Sequence, residues 1–552
     1  MTFASGPSPM VSLLVSMRRR LLSVLLAFLV TLAVYTFFFS DTTSALCSSC
    51  LPDWSLRVSE SPSKLTPPTE LLTIPELDNL TTQPPGRDVG YCRQHFSGDY
   101  LSDLRDHSIQ YCEDDGNGPA SSTLTCFHGY IRGDSHADSF CIGSGATWDE
   151  TQKKFSLDCP VQRIPNVNET ARGLIPFTDL QPYWFNTGPK RIFEGYVSIK
   201  GQSRDETKKA SSPSFVLLIR REGAGNLWHC LMEIWSMTMT FDVLRMARQE
   251  ETGEPFYTTP MDMDNTHVVI LDDHGPGPTM DLWRFFSKHP IVTLQDMTKD
   301  PSKLPAPLRD NSSSTNIVVP LPGGSNPLWH NDWIVRDCHP DDAPLLHLFV
   351  QRVFAHFDLP QLAGPKTNKD GMEPIVVTFI DRRGTRRLLN NVPLLEALRQ
   401  KFPSDNIVIQ SIDMATLSLP DQLRLVQDTD VLVGVHGAGL THTMFMRHGA
   451  GAIVEIQPEG LAYKGFRNLA AMTGHRYFSA EAEMVAQGEE TEEEKLESQK
   501  ETQPAAQRKR NDPPKPWQAS NVRMEEDRFL ELMDVAIKCV YNEGLRNQHV
   551  VR

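Results

Sequence analysis

The stretch DVLVGVHGAGLTHTMFMRHGAGAIVEIQP, residues 430–458, decides the fold. After Asp430, VLVGV is an unbroken apolar run of strand length, the pattern of a strand covered on both faces. His436-Gly437-Ala438-Gly439 follows as a tight turn, where glycine lets the backbone come close to a ligand. Leu440–Met446 reads as the start of a helix, and Ala452–Ile456 as a second strand ending at Gln457-Pro458. This is a βαβ unit. The N–H groups at the helix start point back at the turn, which suits a diphosphate at the C-terminal edge of the sheet. A glycine turn can also serve packing alone. Here His436, Thr441 and His442 crowd one turn, which favours a site.

Upstream, the strand Ile375–Ile380 runs into FIDRRGTRRLLNN, residues 379–391. Arginine binds phosphate bidentately and stays charged at any relevant pH. Arg382 and Arg386, four residues apart, can face one ligand. A solvated basic loop is the ordinary fate of such a run; its place at a strand end points to function instead.

A third segment, NLWHCLMEIW at 226–235, reads as a helix start. His229 and Glu233 lie at i and i+4 on one helix face, a spacing that suits a general base and its orienter, or half of a metal site. On these residues alone, a core histidine beside a surface glutamate is the simpler reading. Asp262-Met-Asp264 precedes the strand His267–Leu271 and Asp272-Asp273 ends it. Either pair could hold Mn²⁺ or Mg²⁺ through carboxylate oxygens, although acidic pairs in loops are commonly just solvated.

Around these segments, strand-length apolar runs alternate with helical patterns from about 190 to 480, an α/β arrangement. Further strands are expected at Ser214–Ile219 and Asn406–Gln410. Helices are expected at Leu227–Arg245, Pro344–Phe357, Val392–Lys401, Leu419–Gln427 and Met524–Val540. Near the start, Leu21–Phe39 is apolar and uncharged, and follows Arg18, Arg19 and Arg20. As a helix it would span roughly 28 Å, about a bilayer core, with the arginines held in the cytosol. A cleaved signal peptide would have a shorter apolar core. Of the ten cysteines, Cys92, Cys112, Cys126, Cys141 and Cys159 fall in one short segment without zinc spacing. Disulfides in an oxidising lumen are their natural use; Cys47 and Cys50 could join two chains. Sequons at Asn79, Asn168 and Asn311 agree with a lumenal chain. The net charge of −15 argues against a nucleic-acid partner.

Together, HGAGLTH at 436–442 with IVEIQP at 453–458, RRGTRRLLNN at 382–391 and NLWHCLMEIW at 226–235 resemble the motifs of glycosyltransferase family 61. The likeness is strongest to its branch acting on EGF domains with N-acetylglucosamine. It implies a GT-B fold of two Rossmann-like domains, a UDP-sugar donor, inversion at the anomeric carbon and no required metal. Carried over residue by residue, Arg382, Arg386, His436, Gly437 and Gly439 would line the UDP diphosphate, with Thr441 in the same turn. Glu455 would contact the ribose. His229 and Glu233 would face the acceptor as catalytic residues. The sequence departs from the family where Glu233 replaces a common Asp and Asn391 a common Glu. The organisation expected is a cytosolic tail (1–20), a transmembrane signal anchor (21–39) and a flexible stem (40–88). A Cys-rich and acceptor-side domain (89–365) and a UDP-sugar domain (366–480) follow. A disordered acidic insertion (481–515) and a C-terminal helix (516–552) complete it. The expected protein is a type II membrane enzyme of the Golgi or endoplasmic reticulum. Its acceptor would be a secreted or membrane glycoprotein or a glycan. A xylosyltransferase acting on polysaccharide, and a catalytically silent sugar-binding protein, are the alternatives.

Overall fold

These apolar runs assemble, in the computed structural model, into two sheets of a mixed α/β fold. The structure describes residues 89–112, 122–131, 137–161, 165–200, 213–309, 315–330, 332–366, 373–402, 406–486, 489–491 and 516–549. The expected tail, anchor and stem, Cys47, Cys50, Asn79, Asn311 and residues 492–515 lie outside them. Among the described residues no helix is long and apolar enough to cross a membrane. Asn168 is exposed on a short capped helix, Val167–Ala171.

Among the described residues the first sheet has nine strands. They are β1 (Ser108–Gln110), β2 (Thr123–Gly129), β3 (Asp138–Asp149), β4 (Lys154–Asp158), β5 (Val197–Lys200), β6 (Ser214–Ile219), β7 (Thr266–Ile270), β8 (Val292–Thr293) and β9 (Thr315–Val319). Their order is β1-β2-β3-β9-β6-β7-β8, with β4 and β5 continuing from β3. Strands β9, β6, β7 and β8 are parallel. Strands β1 to β3 join them antiparallel. This half is therefore a mixed sheet, in place of the parallel one that a Rossmann-like domain implies. The Cys-rich segment builds the antiparallel part, which Cys126–Cys141 and Cys112–Cys159 staple. The fifth cysteine of that segment, Cys92, bonds to Cys338, far along the chain.

The second sheet has six strands. These are β10 (Ile375–Ile380), β11 (Ile407–Ile412), β12 (Val431–Val435), β13 (Ala452–Pro458), β14 (Arg476–Val485) and β15 (Asn521–Arg523). The order is β11-β10-β12-β13-β14-β15, parallel except for the last pair. Counting from β10, the parallel strands run 2-1-3-4-5, a doubly wound sheet that reverses direction between β10 and β12. Alternate residues explain the layers. Val377, Phe379, Val431 and Val433 pack with Leu394 and Leu398 of helix Asn391–Lys401 and with Phe529 and Met533 of helix Glu526–His549. Ile380, Leu432 and Ile453 face Leu423, Leu440 and Leu469 on the other side.

The expected strands agree with the observed ones to within two residues, and the helix Leu419–Gln427 coincides. Three boundaries differ. Leu440–Met446 is not an α-helix start: the chain forms a 3₁₀ segment, Ala438–Phe445. Gly439, Thr441 and Thr443 are poor helix formers, and they favour so short a turn. Strand β14 continues to Val485, so the insertion does not begin at 481. The final helix starts at Glu526, after a short helix, Pro516–Ala519, and β15.

Candidate functional site

A doubly wound sheet binds ligands outside the carboxyl ends of its strands where the order reverses. Here that point lies between β10 and β12, which pair in parallel register. The loop after β10 carries Arg382 and Arg386; the loop after β12 is His436-Gly437. The pairing brings the two motifs together. A Cβ on Gly437 would overlap the Arg382 guanidinium and lie 3.0 Å from Nη1 of Arg386. Both arginine heads therefore rest against a glycine at φ 148°, a conformation that side chains avoid. Arg382 donates from Nε to the Thr385 carbonyl at 3.1 Å, which curls the loop. Burial lowers its pKa to about 10, so it keeps its charge at neutral pH. Arg386 has a left-handed backbone, φ 59°, and its guanidinium sits 5.8 Å from the Trp517 ring centre. Arg383 points elsewhere and pairs with Asp381 at 2.8 Å. Asn391 reaches the same Asp381.

Behind the turn, His436 hydrogen-bonds through Nδ1 to Glu455 Oε1 at 2.6 Å, and Tyr477 donates its hydroxyl to Glu455 Oε2. Burial lowers the His436 pKa against the opposing pull of Glu455. Glu455 is wholly buried in mid-strand, so it does not stand at a strand end to meet a ribose; it orients His436. Thr441 is also wholly buried, and Gly439 packs on Ile380. Of the expected turn residues, Gly437 is the one against which the arginines close.

The third motif starts helix Leu227–Met246, capped by Asn226, whose Oδ1 accepts from Trp228 N at 3.1 Å. Apolar on all sides, the helix is buried; only His229 and Met246 escape full burial. Trp228 packs on Tyr463 and Phe466, and Tyr463 stacks edge-on against His436 at 4.8 Å. The helix start and the glycine turn thus meet through one aromatic cluster.

His229 and Glu233 do not share an open face. Glu233 is buried, and its Oε1 accepts from the Glu222 N–H at 2.8 Å. The partner of His229 is Glu222, with Oε2 at 2.9 Å from Nδ1. Burial pushes both carboxyl groups well above the usual range, and Glu222 raises Glu233 further. Around His229 stand Trp329 at 4.5 Å and Phe185 at 5.1 Å between ring centres. Phe185 and Asn186 are both left-handed, a costly pair for residues with side chains. Arg220 holds them through the Asn186 carbonyl at 2.7 Å, and Trp184 and Phe185 stay exposed beside the histidine.

Sequence reading missed Glu222, Asp332 and Trp517. Glu222 is a single residue in a loop, without periodicity. Asp332 hydrogen-bonds Tyr463, and burial pushes its carboxyl up to about 7. Three of the four carboxylates in the acidic pairs have structural partners, and Asp273 is exposed. Asp262 accepts from the Thr258 N–H, and Asp264 pairs with Lys288. Asp272 forms a buried ion pair with Arg221 at 2.8 Å.

Gly323 closes the floor of this site. A Cβ there would lie 2.7 Å from Glu233 Cγ and 3.1 Å from Glu222 Oε1. Gly323→Ala is expected to destabilise the fold by about 1–3 kcal/mol through overpacking. A thermal melt at the wild-type temperature would show that the carboxyl groups are not held so tightly.

Residues 228–453 match the glycosyltransferase 61 family. The EGF domain-specific O-linked N-acetylglucosamine transferase of Drosophila melanogaster is 31% identical over 220 residues, 39% of this chain and 37% of that protein. Its Bos taurus counterpart is 28% identical over 219 residues, 39% and 38% of the two chains. The Bos taurus protein O-linked-mannose beta-1,4-N-acetylglucosaminyltransferase 2 is 32% identical over 126 residues, 22% and 21%. The matches therefore span less than two fifths of these relatives. The sheet reversal, the arginine loop, the glycine turn and His229 all fall inside the stretch that matches the glycosyltransferase 61 family.

Proposed function

We propose that this protein is an inverting glycosyltransferase that moves a sugar from a UDP-sugar to a hydroxyl of a secretory-pathway glycoprotein. The observation that carries this reading is the closure of Arg382 and Arg386 on Gly437 where the sheet reverses. Two cations on a backbone with no side chain suit a diphosphate, and they stabilise the charge that grows on it as the sugar leaves. His229, half-buried beside Phe185 and Trp329, lies on the acceptor side and takes the hydroxyl proton. Glu233, sealed beneath, is not the base. The two sheets, joined through the aromatic cluster of Trp228 and Tyr463, support a GT-B arrangement with the acceptor on the first sheet and the donor on the second. Three disulfides among the described residues support an oxidising lumen. Together with the apolar stretch 21–39, they favour a type II protein of the Golgi or endoplasmic reticulum. N-acetylglucosamine is the sugar favoured by the names of the relatives.

The test is a donor panel. UDP-N-acetylglucosamine, UDP-xylose and UDP-arabinose are compared by thermal shift and by UDP release. N-acetylglucosamine should give the largest stabilisation and the fastest release. A preference for UDP-xylose would move the assignment to a xylosyltransferase. Failure of all three, and of UDP itself, to bind would overturn the reading.

A further inference from the structure

The buried carboxyl pair below His229 has an asymmetry that assigns the proton. Glu222 leaves the loop after β6, and Arg221 fixes that loop. The Arg221 guanidinium pairs with Asp272 and donates to the His274 carbonyl at 2.7 Å, and its backbone N–H donates to Asp272 at 2.7 Å. Glu222 therefore has little freedom. Its carboxyl group faces His229 Nδ1 at 2.9 Å, and the Gly324 backbone N–H further favours its charged form. Glu233 accepts from the Glu222 N–H through Oε1; Glu222 Oε1 and Glu233 Oε2 alike have no hydrogen-bond partner among the described residues, so the difference between the two lies in the imidazole beside Glu222. Two desolvated carboxyl groups this close cannot both ionise cheaply. Of the two, Glu222 has a ring nitrogen beside it to share a charge with, and Glu233 has none.

We propose that Glu222 is the positioning residue for His229, holding Nδ1–H so that Nε2 takes the proton of the acceptor hydroxyl, with Glu233 as a neutral brace. This rests on the transferase reading above. In the step itself, the acceptor oxygen bonds to the anomeric carbon and its proton passes to Nε2. The bond from the anomeric carbon to the diphosphate oxygen breaks, and its electron pair leaves with UDP. The Glu222 carboxylate then faces an imidazolium, which it stabilises. Among the described residues, the groups facing His229 include Glu222 from the loop, Glu233 from its own helix through Glu222, the Arg221–Asp272 pair behind them, and the rings of Phe185 and Trp329.

The assignment predicts opposite behaviour for two isosteric changes. In the full chain, diethyl pyrocarbonate labels neutral imidazole, and peptide mass spectrometry reads His229 across pH without any substrate. A carboxylate beside the ring raises its pKa, so Glu222→Gln should move the midpoint of His229 labelling to lower pH. Turnover, read as UDP release from UDP-N-acetylglucosamine with a folded EGF-like domain as acceptor, should fall about 100-fold. Its acidic limb should move the same way, with UDP affinity unchanged. Glu222→Asp should restore part of both. Glu233→Gln should keep the wild-type midpoint and most of the rate. An unmoved midpoint in Glu222→Gln overturns the pairing, as does an equal shift in Glu233→Gln. His229→Ala separates the two levels: if it turns over normally, the base assignment fails, whatever the labelling shows.

Discussion

Arg386→Ala is expected to bind UDP about 10- to 150-fold more weakly than the wild-type protein, the equivalent of one charge-assisted contact of roughly 1.5–3 kcal/mol. The fold should survive. Arg386 lies in a loop, with a left-handed backbone that Ala adopts with no more difficulty than Arg, and its head rests against a glycine and an indole ring. Arg382→Ala should cost a similar amount. Lysine at either position should recover only part of the loss, because a single ammonium cannot form the two-pronged contact of a guanidinium. Isothermal titration with UDP measures all four variants. Wild-type affinity in Arg386→Ala would place the nucleotide elsewhere.

Gly437→Ala reaches the same site from the other side. Its new methyl group would collide with the Arg382 guanidinium and press on that of Arg386, so both heads must turn away together. The colliding atoms are ends of flexible side chains, so the fold can adjust around them. The backbone at φ 148° adds strain of about 1–3 kcal/mol. UDP affinity is expected to drop by more than either arginine deletion alone causes, about 100-fold or beyond, from two contacts each of the size above. The control is the double change Gly437→Ala with Arg382→Ala. If the arginines act on the nucleotide through this glycine, the double variant should lose much less than the sum of the two single losses. Full additivity would mean that the turn and the arginine loop serve different ligands.

Much of the second sheet was legible in the sequence, because its parallel strands are covered on both faces and read as unbroken apolar runs. Val431–Val435 and Ala452–Pro458 are buried throughout. Both halves of the donor site were legible too, as separate motifs. Their contact was not, since it depends on β12 pairing with β10 across the intervening β11 and two helices. The first sheet was harder. Its strands β1 to β3 are joined by disulfides and antiparallel pairing between stretches that show no clear apolar run. At the helix start, the i, i+4 spacing of His229 and Glu233 suggested a shared face. Burial of the whole helix turned Glu233 inward, and a loop residue eleven positions upstream became its hydrogen-bond partner. Periodicity reports which side of a helix is apolar; it cannot report which loop carboxylate comes to lie under it.

Strand β15 stitches the end of the chain to the arginine loop. Arg387 N–H donates to Asn521 Oδ1 at 3.0 Å, Val522 N–H to the Arg387 carbonyl at 2.8 Å, and Leu389 N–H to the Val522 carbonyl at 2.9 Å. Trp517, four residues before Asn521, packs on His436 at 5.5 Å. A chain cut after residue 480 would retain every recognisable motif and still lose the wall behind its arginines. On the other side of the gap, Val485 pairs directly with Asn521, so the chain leaves the sheet and re-enters it at neighbouring points. Residues 517–524 are tied in this way to a loop more than a hundred positions earlier.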